Sequence, residues 1–283
     1  MFSLIAENQY GEQLELTNNP AYSVINIDGL NPPDAIINVL QRAGHDGSVF
    51  NSAFVDNRQI IIDIAVNGPA CGNRNELFRF FRTARRTRLI YHNDLHDVYI
   101  DGWVQNAPVQ YFGQKQLFQA TLICPDPFWH GVVEVEGTTN GTESLFEFPF
   151  SIEVGAPIPF SEYDSSGGAF IWNPGSVESG IIATITATGA VTNPTVYHAQ
   201  TDTFIKVTTS LQSGDILIID TKTDEKAIKR TRSGSTTNLI AYMAVGSSWI
   251  NAIPGENNFI LKADSGSANI AAEIRFTTNI EGV

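Results

Sequence analysis

Short runs rich in β-branched and aromatic residues recur through the second half of the chain, and they leave little room for anything but sheets. They fall at residues 169–172, 181–188, 195–198, 204–208, 216–220, 238–243, 258–262 and 270–277. Their spacing of roughly 8–12 residues marks a β-sandwich or jelly roll. Ser213-Gly214-Asp215 and Pro254-Gly255-Glu256 supply turns between them. Just upstream, Phe146, Phe148 and Phe150 alternate as a half-buried strand would, inside an acidic, Gly/Thr-rich stretch at 134–153. No internal repeat or low-complexity tract interrupts the pattern.

The first half is mixed α and β. Strands are predicted at 2–6 and 22–28, followed by a break at Gly29-Leu30-Asn31-Pro32-Pro33, since paired prolines cannot continue a central strand. Residues 59–66 read Gln-Ile-Ile-Ile-Asp-Ile-Ala-Val, a strong strand with Asp63 facing solvent or a partner. One helix follows. Asn73 with Glu76 three residues on suggests a capping box. Leu77, Phe78, Phe80, Phe81 and Ala84 share an apolar face at helical spacing. Arg79, Arg82 and Arg86 form a stripe beside it, and the helix is expected to end near Thr87. A long hairpin is expected next, residues 98–105 up, a turn near Pro108, and residues 116–124 back. In Cys124-Pro125-Asp126-Pro127-Phe128-Trp129, two prolines one residue apart stop a strand, and the domain boundary is placed there. The expected fold is mainly β with a small α+β part: a β-sandwich with one helix at 1–130 and a β-sandwich jelly roll at 131–283.

A chain of 283 residues can bury two cores. Its formal net charge is -13. Up to Trp129 there are 9 Lys+Arg against 13 Asp+Glu, and beyond it 8 against 17. Such a surface does not adsorb to DNA from outside, because phosphate binding needs local cationic density, although it suits a channel that DNA passes without sticking. Cys124 sits in an apolar run and reads as a small buried hydrophobe, so a disulfide to Cys71 is not the expectation. The opening Met1-Phe2-Ser3-Leu4-Ile5-Ala6-Glu7 lacks a basic region and is not read as a signal peptide. No 18-residue apolar run offers a membrane span. A chain folding in a reducing cytoplasm is expected.

Site chemistry is sparse. His92-Asn93-Asp94-Leu95-His96-Asp97 is the densest polar cluster, but it has no metal-ligand spacing and reads as an exposed turn between two strands rather than a metal or acid/base site. His45, His130 and His198 are scattered. No Gly-x-Ser-x-Gly elbow, Walker loop or Gly-x-Gly-x-x-Gly occurs, so neither a catalytic residue nor a cofactor or metal site is assigned. Arg74, Arg79, Arg82, Arg85, Arg86 and Arg88 crowd 15 positions. They form either a solvated face, an interface to a neighbour's carboxylates with Arg79, Arg82 and Arg86 as candidates, or, with least support, a nucleic-acid contact. Trp172 and Trp249 are candidate sugar contacts, or else core and rim packing.

Taken in order, these segments resemble the distal tail protein family of long-tailed siphophages. The resemblance runs through Tyr22-Ser23-Val24-Ile25-Asn26-Ile27-Asp28-Gly29-Leu30, residues 59–66, the Arg-rich helix and Tyr99-Ile100-Asp101-Gly102-Trp103-Val104. Its most specific stretch is Gln119-Ala120-Thr121-Leu122-Ile123-Cys124-Pro125-Asp126-Pro127-Phe128-Trp129. It continues through Asn173-Pro174-Gly175, Asn193-Pro194-Thr195-Val196, residues 214–221, Pro254-Gly255-Glu256-Asn257-Asn258 and Glu281-Gly282-Val283. It is thinnest between Gly131 and Ala169.

The resemblance implies a ring-forming belt domain at 1–130 and an outer galectin-like or carbohydrate-module-like jelly roll at 131–283. It implies a homohexameric ring in the virion tail of a phage or prophage, assembled in the host bacterial cytoplasm. The ring would join the tail tube protein to the tail-tip hub or fibre protein, with a channel for DNA. Receptor-binding proteins or host glycans would attach outside, and no catalytic residue is implied. The rival reading is a carbohydrate-binding host-adhesion protein with a lectin-like C-terminal domain; a wall hydrolase comes third.

Overall fold

A computed structural model of the chain describes residues 2–111, 116–138, 142–143, 162–163 and 168–283. Its residues fall into two compact units, Met1–Val133 with Asn279–Val283, and Glu134–Thr278. The last five residues lie in the first unit, an arrangement no single cut in the sequence can express. Phe146, Phe148 and Phe150 lie outside the described residues.

In the first unit, Arg58–Val66 is the central strand. It pairs along its length with Gln116–Cys124 on one side and with Tyr22–Asp28 on the other. A second run of antiparallel strands goes Gln13–Glu15, Ser3–Asn8, Arg86–His92, Asp97–Asn106. Alternation decides which side chains enter the core: Ile60, Ile62 and Ile64 point in, with Leu4, Leu89, Ile100, Phe118 and Leu122 from the neighbouring strands. Asp63 points the other way and accepts a 2.8 Å bond from Gln119 Nε2. The expected long hairpin is corrected here. Gln116–Cys124 meets Asp97–Asn106 at only three positions, and the main partner of Asp97–Asn106 is Arg86–His92.

The helix spans Ala70–Phe80, which corrects both expected ends. Pro69 precedes its first turn, and the Pro69 carbonyl already accepts from Asn73 N at 3.2 Å. Asn73 is therefore inside the helix and caps nothing; its Nδ2 donates to the Asn67 carbonyl, while Glu76 accepts from Tyr22 Oη at 2.7 Å. At the other end, Ala84 adopts φ 59 and is exposed. Its N–H donates to Val104 O, and Val104 N–H donates to Arg85 O. These bonds draw residues 84–85 onto the sheet before another helical turn can form, and Thr87 Oγ1 satisfies the Phe80 carbonyl at 3.0 Å. Leu77, Phe80 and Phe81 are buried, with Phe78 and Phe81 packed against Phe118.

The second unit is a sandwich. One sheet runs Ile270–Ile280, Ile182–Ala187, Ile216–Asp220, Ala227–Arg232, Ser235–Asn238. The other runs Gly168–Asn173, Gly255–Lys262, Thr195–His198, Thr203–Lys206. Ile185, Leu217, Ile228, Ile274 and Phe276 from the first face meet Ile171, Val196, Ile205 and Phe259 from the second. The strand expected at 238–243 is instead the end of Ser235–Asn238 and a 3₁₀ turn, Ile240–Tyr242, initiated by the Asn238 side chain on Ile240 N. His198 is a core histidine: Asn257 Oδ1 and Thr201 Oγ1 hold its two ring nitrogens, and burial lowers its pKa against the opposing bond from Asn257.

Candidate assembly interface

An antiparallel hairpin, Ala35–Gln41 with Ser48–Val55, leaves the first unit through the Gly29–Pro33 break. The sequence reading missed it. Ile36-Ile37-Asn38-Val39-Leu40 has no clean alternation, because the hairpin has no buried side to set one. Directly opposite residues share a face in an antiparallel pair. One face then carries Ile36, Phe54, Leu40 and Val49, and the other carries Ile37, Ala53, Val39 and Phe50, with an irregularity at Asn38/Val39 shifting the register. Ile37 is 62% exposed, Leu40 59% and Phe50 64%. An isolated two-stranded hairpin is marginal in water, and exposed apolar patches of this kind mark protein interfaces.

The arginines do not make one stripe. Arg79 is on the last helical turn, exposed, 3.6 Å from Glu12. Arg82 lies in the exposed turn after the helix. Arg86 begins the strand Arg86–His92, where it donates to both oxygens of Asp101 at 2.8 and 2.9 Å; Arg88 binds the same carboxylate and lies over the Tyr99 ring. Burial disfavours charge on Asp101, but the hydrogen bonds from Arg88 and Arg86 outweigh it and hold its pKa below the ordinary value. The helical-stripe expectation assumed a helix reaching Thr87, and the early turn at Ala84 separates its members.

The polar cluster at 92–97 is a turn: Asn93 Oδ1 accepts from the backbone N–H groups of Leu95 and His96. Among the described residues no group of three or more His, Cys, Asp and Glu is placed to hold a metal, and no helix is long and apolar enough to cross a membrane. Cys71 and Cys124 are both free, and burial pushes the Cys124 thiol up to about 12. Trp172 is 66% exposed on the strand Gly168–Asn173, two residues from the exposed Phe170 and on the same face. Trp249, by contrast, packs on the second core beneath Lys226 Nζ.

The second unit defines the class. Residues 174–279 match the model of the family described as siphovirus-type tail component, C-terminal domain. The particular relative is the Dit protein of phage SPP1, described as a paradigm of the hub adsorption apparatus in phages infecting Gram-positive bacteria. Its solved structure superposes with a TM-score of 0.70 at 15% identity, covering 99% of each chain. The phage P2 baseplate in its activated conformation with Ca contains a chain similar at TM-score 0.55 and 13% identity, over 100% of both chains. The same baseplate activated with Sr gives 0.52 and 13%, again over 100% of both. Residues 174–279 thus match a siphovirus-type tail-component domain, and the chain as a whole shares its fold with the SPP1 Dit structure. No curated protein sequence matches the chain.

Proposed function

We propose that this chain is the structural distal tail protein of a long-tailed bacteriophage or prophage. Six copies form a ring between the tail tube protein and the tail-tip hub or fibre protein, leaving a channel for DNA. The first domain, 1–130, is the ring-forming belt, and 131–283 is an outer jelly roll on which receptor-binding proteins attach. The observation that carries this reading is the hairpin Ala35–Gln41/Ser48–Val55, apolar on both faces and uncovered by its own unit. A heterologous ring needs two different complementary faces per subunit, and a protruding arm is one of them. Among the arginines first considered, Arg86 is engaged by Asp101, so the contribution of this cluster to subunit contacts falls to Arg79 and Arg82. The role is one of scaffolding without catalysis. Native mass measurement of the full chain tests it: six chains per particle are expected, and a monomer at micromolar concentration overturns the ring.

One observation favours the second reading, adhesion to host glycans. Phe170 and Trp172 present two aromatic faces side by side at one end of their sheet, next to the exposed Glu256 opposite Trp172. If the second unit holds sugar, host-wall polysaccharide retains the protein on a column, and Trp172→Ala with Phe170→Ala loses that retention while the melt by circular dichroism is unchanged. Equal elution of wild type and variant removes the reading.

A further inference from the structure

Arg58 is 3% exposed, on the central strand of the first unit. Its guanidinium makes four hydrogen bonds, and all four end on main-chain carbonyls: Nε on Pro127 O at 2.6 Å, Nη1 on Gly29 O at 2.6 Å and Asn31 O at 2.9 Å, and Nη2 on Glu281 O. These carbonyls come from three segments far apart in sequence. Two of them, Gly29 and Asn31, belong to the loop from which the hairpin springs. A planar guanidinium fixes the directions of its donors, so it sets the mutual placement of what it binds in a way a lysine does not.

The segment at 279–283 grips the same loop a second time. Val283 N–H donates to Leu30 O at 3.1 Å, and Ile280, Val283 and Leu30 all pack on the first core. Gly282 lies against the loop with no space for a side chain: a Cβ there would sit 2.7 Å from Pro32 Cδ and 2.9 Å from Pro32 N. The loop has little freedom of its own on the other side. Gly29 has φ +95, and a Cβ on it would meet Gln59 O at 2.4 Å.

We infer that residues 279–283 are a strap that fixes the root of the hairpin, with Arg58 as the positioning residue joining strap to root. The hairpin itself is tied to its unit by few contacts, so its direction is set where it leaves the fold. The strap enters from the strand Ile270–Ile280, whose residues up to Thr278 belong to the second unit.

The inference rests on the hairpin being the assembly arm, so its test reads the hairpin and not assembly. Full-length chains carrying Ile37→Glu and Phe50→Glu, in which no subunit contact protects the hairpin, are compared with and without Gly282→Val plus Val283→Pro. The first strap substitution fills the space against Pro32, and the second removes the N–H that binds Leu30. Amide hydrogen exchange is followed by mass spectrometry. Peptides over 29–41 and 48–55 are expected to exchange at least about tenfold faster in the strap variant, with 60–66 and 118–124 unchanged as the check on folding. Unchanged exchange over 29–41 and 48–55 overturns the strap, whether or not residues 279–283 are themselves released. A monomeric wild type would instead refute the ring and leave this comparison standing. Arg58→Lys is a second variant that keeps the charge but not the fork; it is expected to speed the same two peptides and not the core, and an unaffected root would remove Arg58 from the account.

Discussion

Ile37→Glu with Phe50→Glu is expected to yield a folded chain that no longer assembles. Both side chains stand on one face of the hairpin, both are largely exposed within the subunit, and neither belongs to a core cluster. Their replacement therefore leaves the subunit's own packing intact, and the melt by circular dichroism should move by no more than about 0.5 kcal/mol equivalent, the range for surface changes. In the proposed ring the same positions would lie against a neighbour. Central apolar residues of an interface are worth about 2 kcal/mol or more each, and burying a carboxylate there costs further. Two such positions raise the concentration needed for assembly by at least about 1000-fold. Sedimentation velocity against concentration gives the answer. A folded double variant that still forms full rings at the wild-type concentration assigns ring closure to other surfaces.

Trp129→Ala is expected to be the most damaging single core change in the first unit. Trp129 is fully buried, lies 6.1 Å from the Tyr91 ring in a tilted arrangement, and anchors the end of the proline-stiffened exit. Removing so large a ring costs about 3–5 kcal/mol, seen as a lowered denaturation midpoint in guanidinium. The informative comparison is Trp129→Phe. The indole Nε1 is buried with no hydrogen-bond partner, and such a donor itself costs about 1–3 kcal/mol. Phenylalanine gives up some volume but also that orphan donor, so its net cost should stay near 1–2 kcal/mol. If phenylalanine proves as damaging as alanine, the indole N–H has a partner and the packing account is incomplete.

The strands were legible where one face is buried and the other wet. Thr195–His198 and Ile216–Asp220 were placed to the residue because alternation there records a real core face. The helix was legible in kind but not in extent. Its apolar spacing continues through Phe81, and what ends it is Val104, about twenty positions downstream, bonding to Ala84 and Arg85. A local period cannot report a partner so distant. The hairpin was invisible for the opposite reason. Its apolar residues have no buried face within the subunit to answer to, so in the sequence they look like noise around Asn38. The candidate site shared that fate. The arginines drew attention because charge is easy to count, whereas Arg58, at the start of an isoleucine-rich strand, gave no signal of its burial.

The two connections between the units bear on the order in which the molecule can be made. Synthesis runs from the amino end, so residues 279–283 emerge only after all of Glu134–Thr278. The first unit, although it leads the chain, waits on the ribosome for its last segment while the second is completed. The carbonyl of Glu281 and the N–H of Val283 are the last pieces to arrive at the root of the hairpin. A nascent chain therefore presents an arm whose base is unfinished, and the base can close only when the last strand of the second sandwich, Ile270–Ile280, has also emerged.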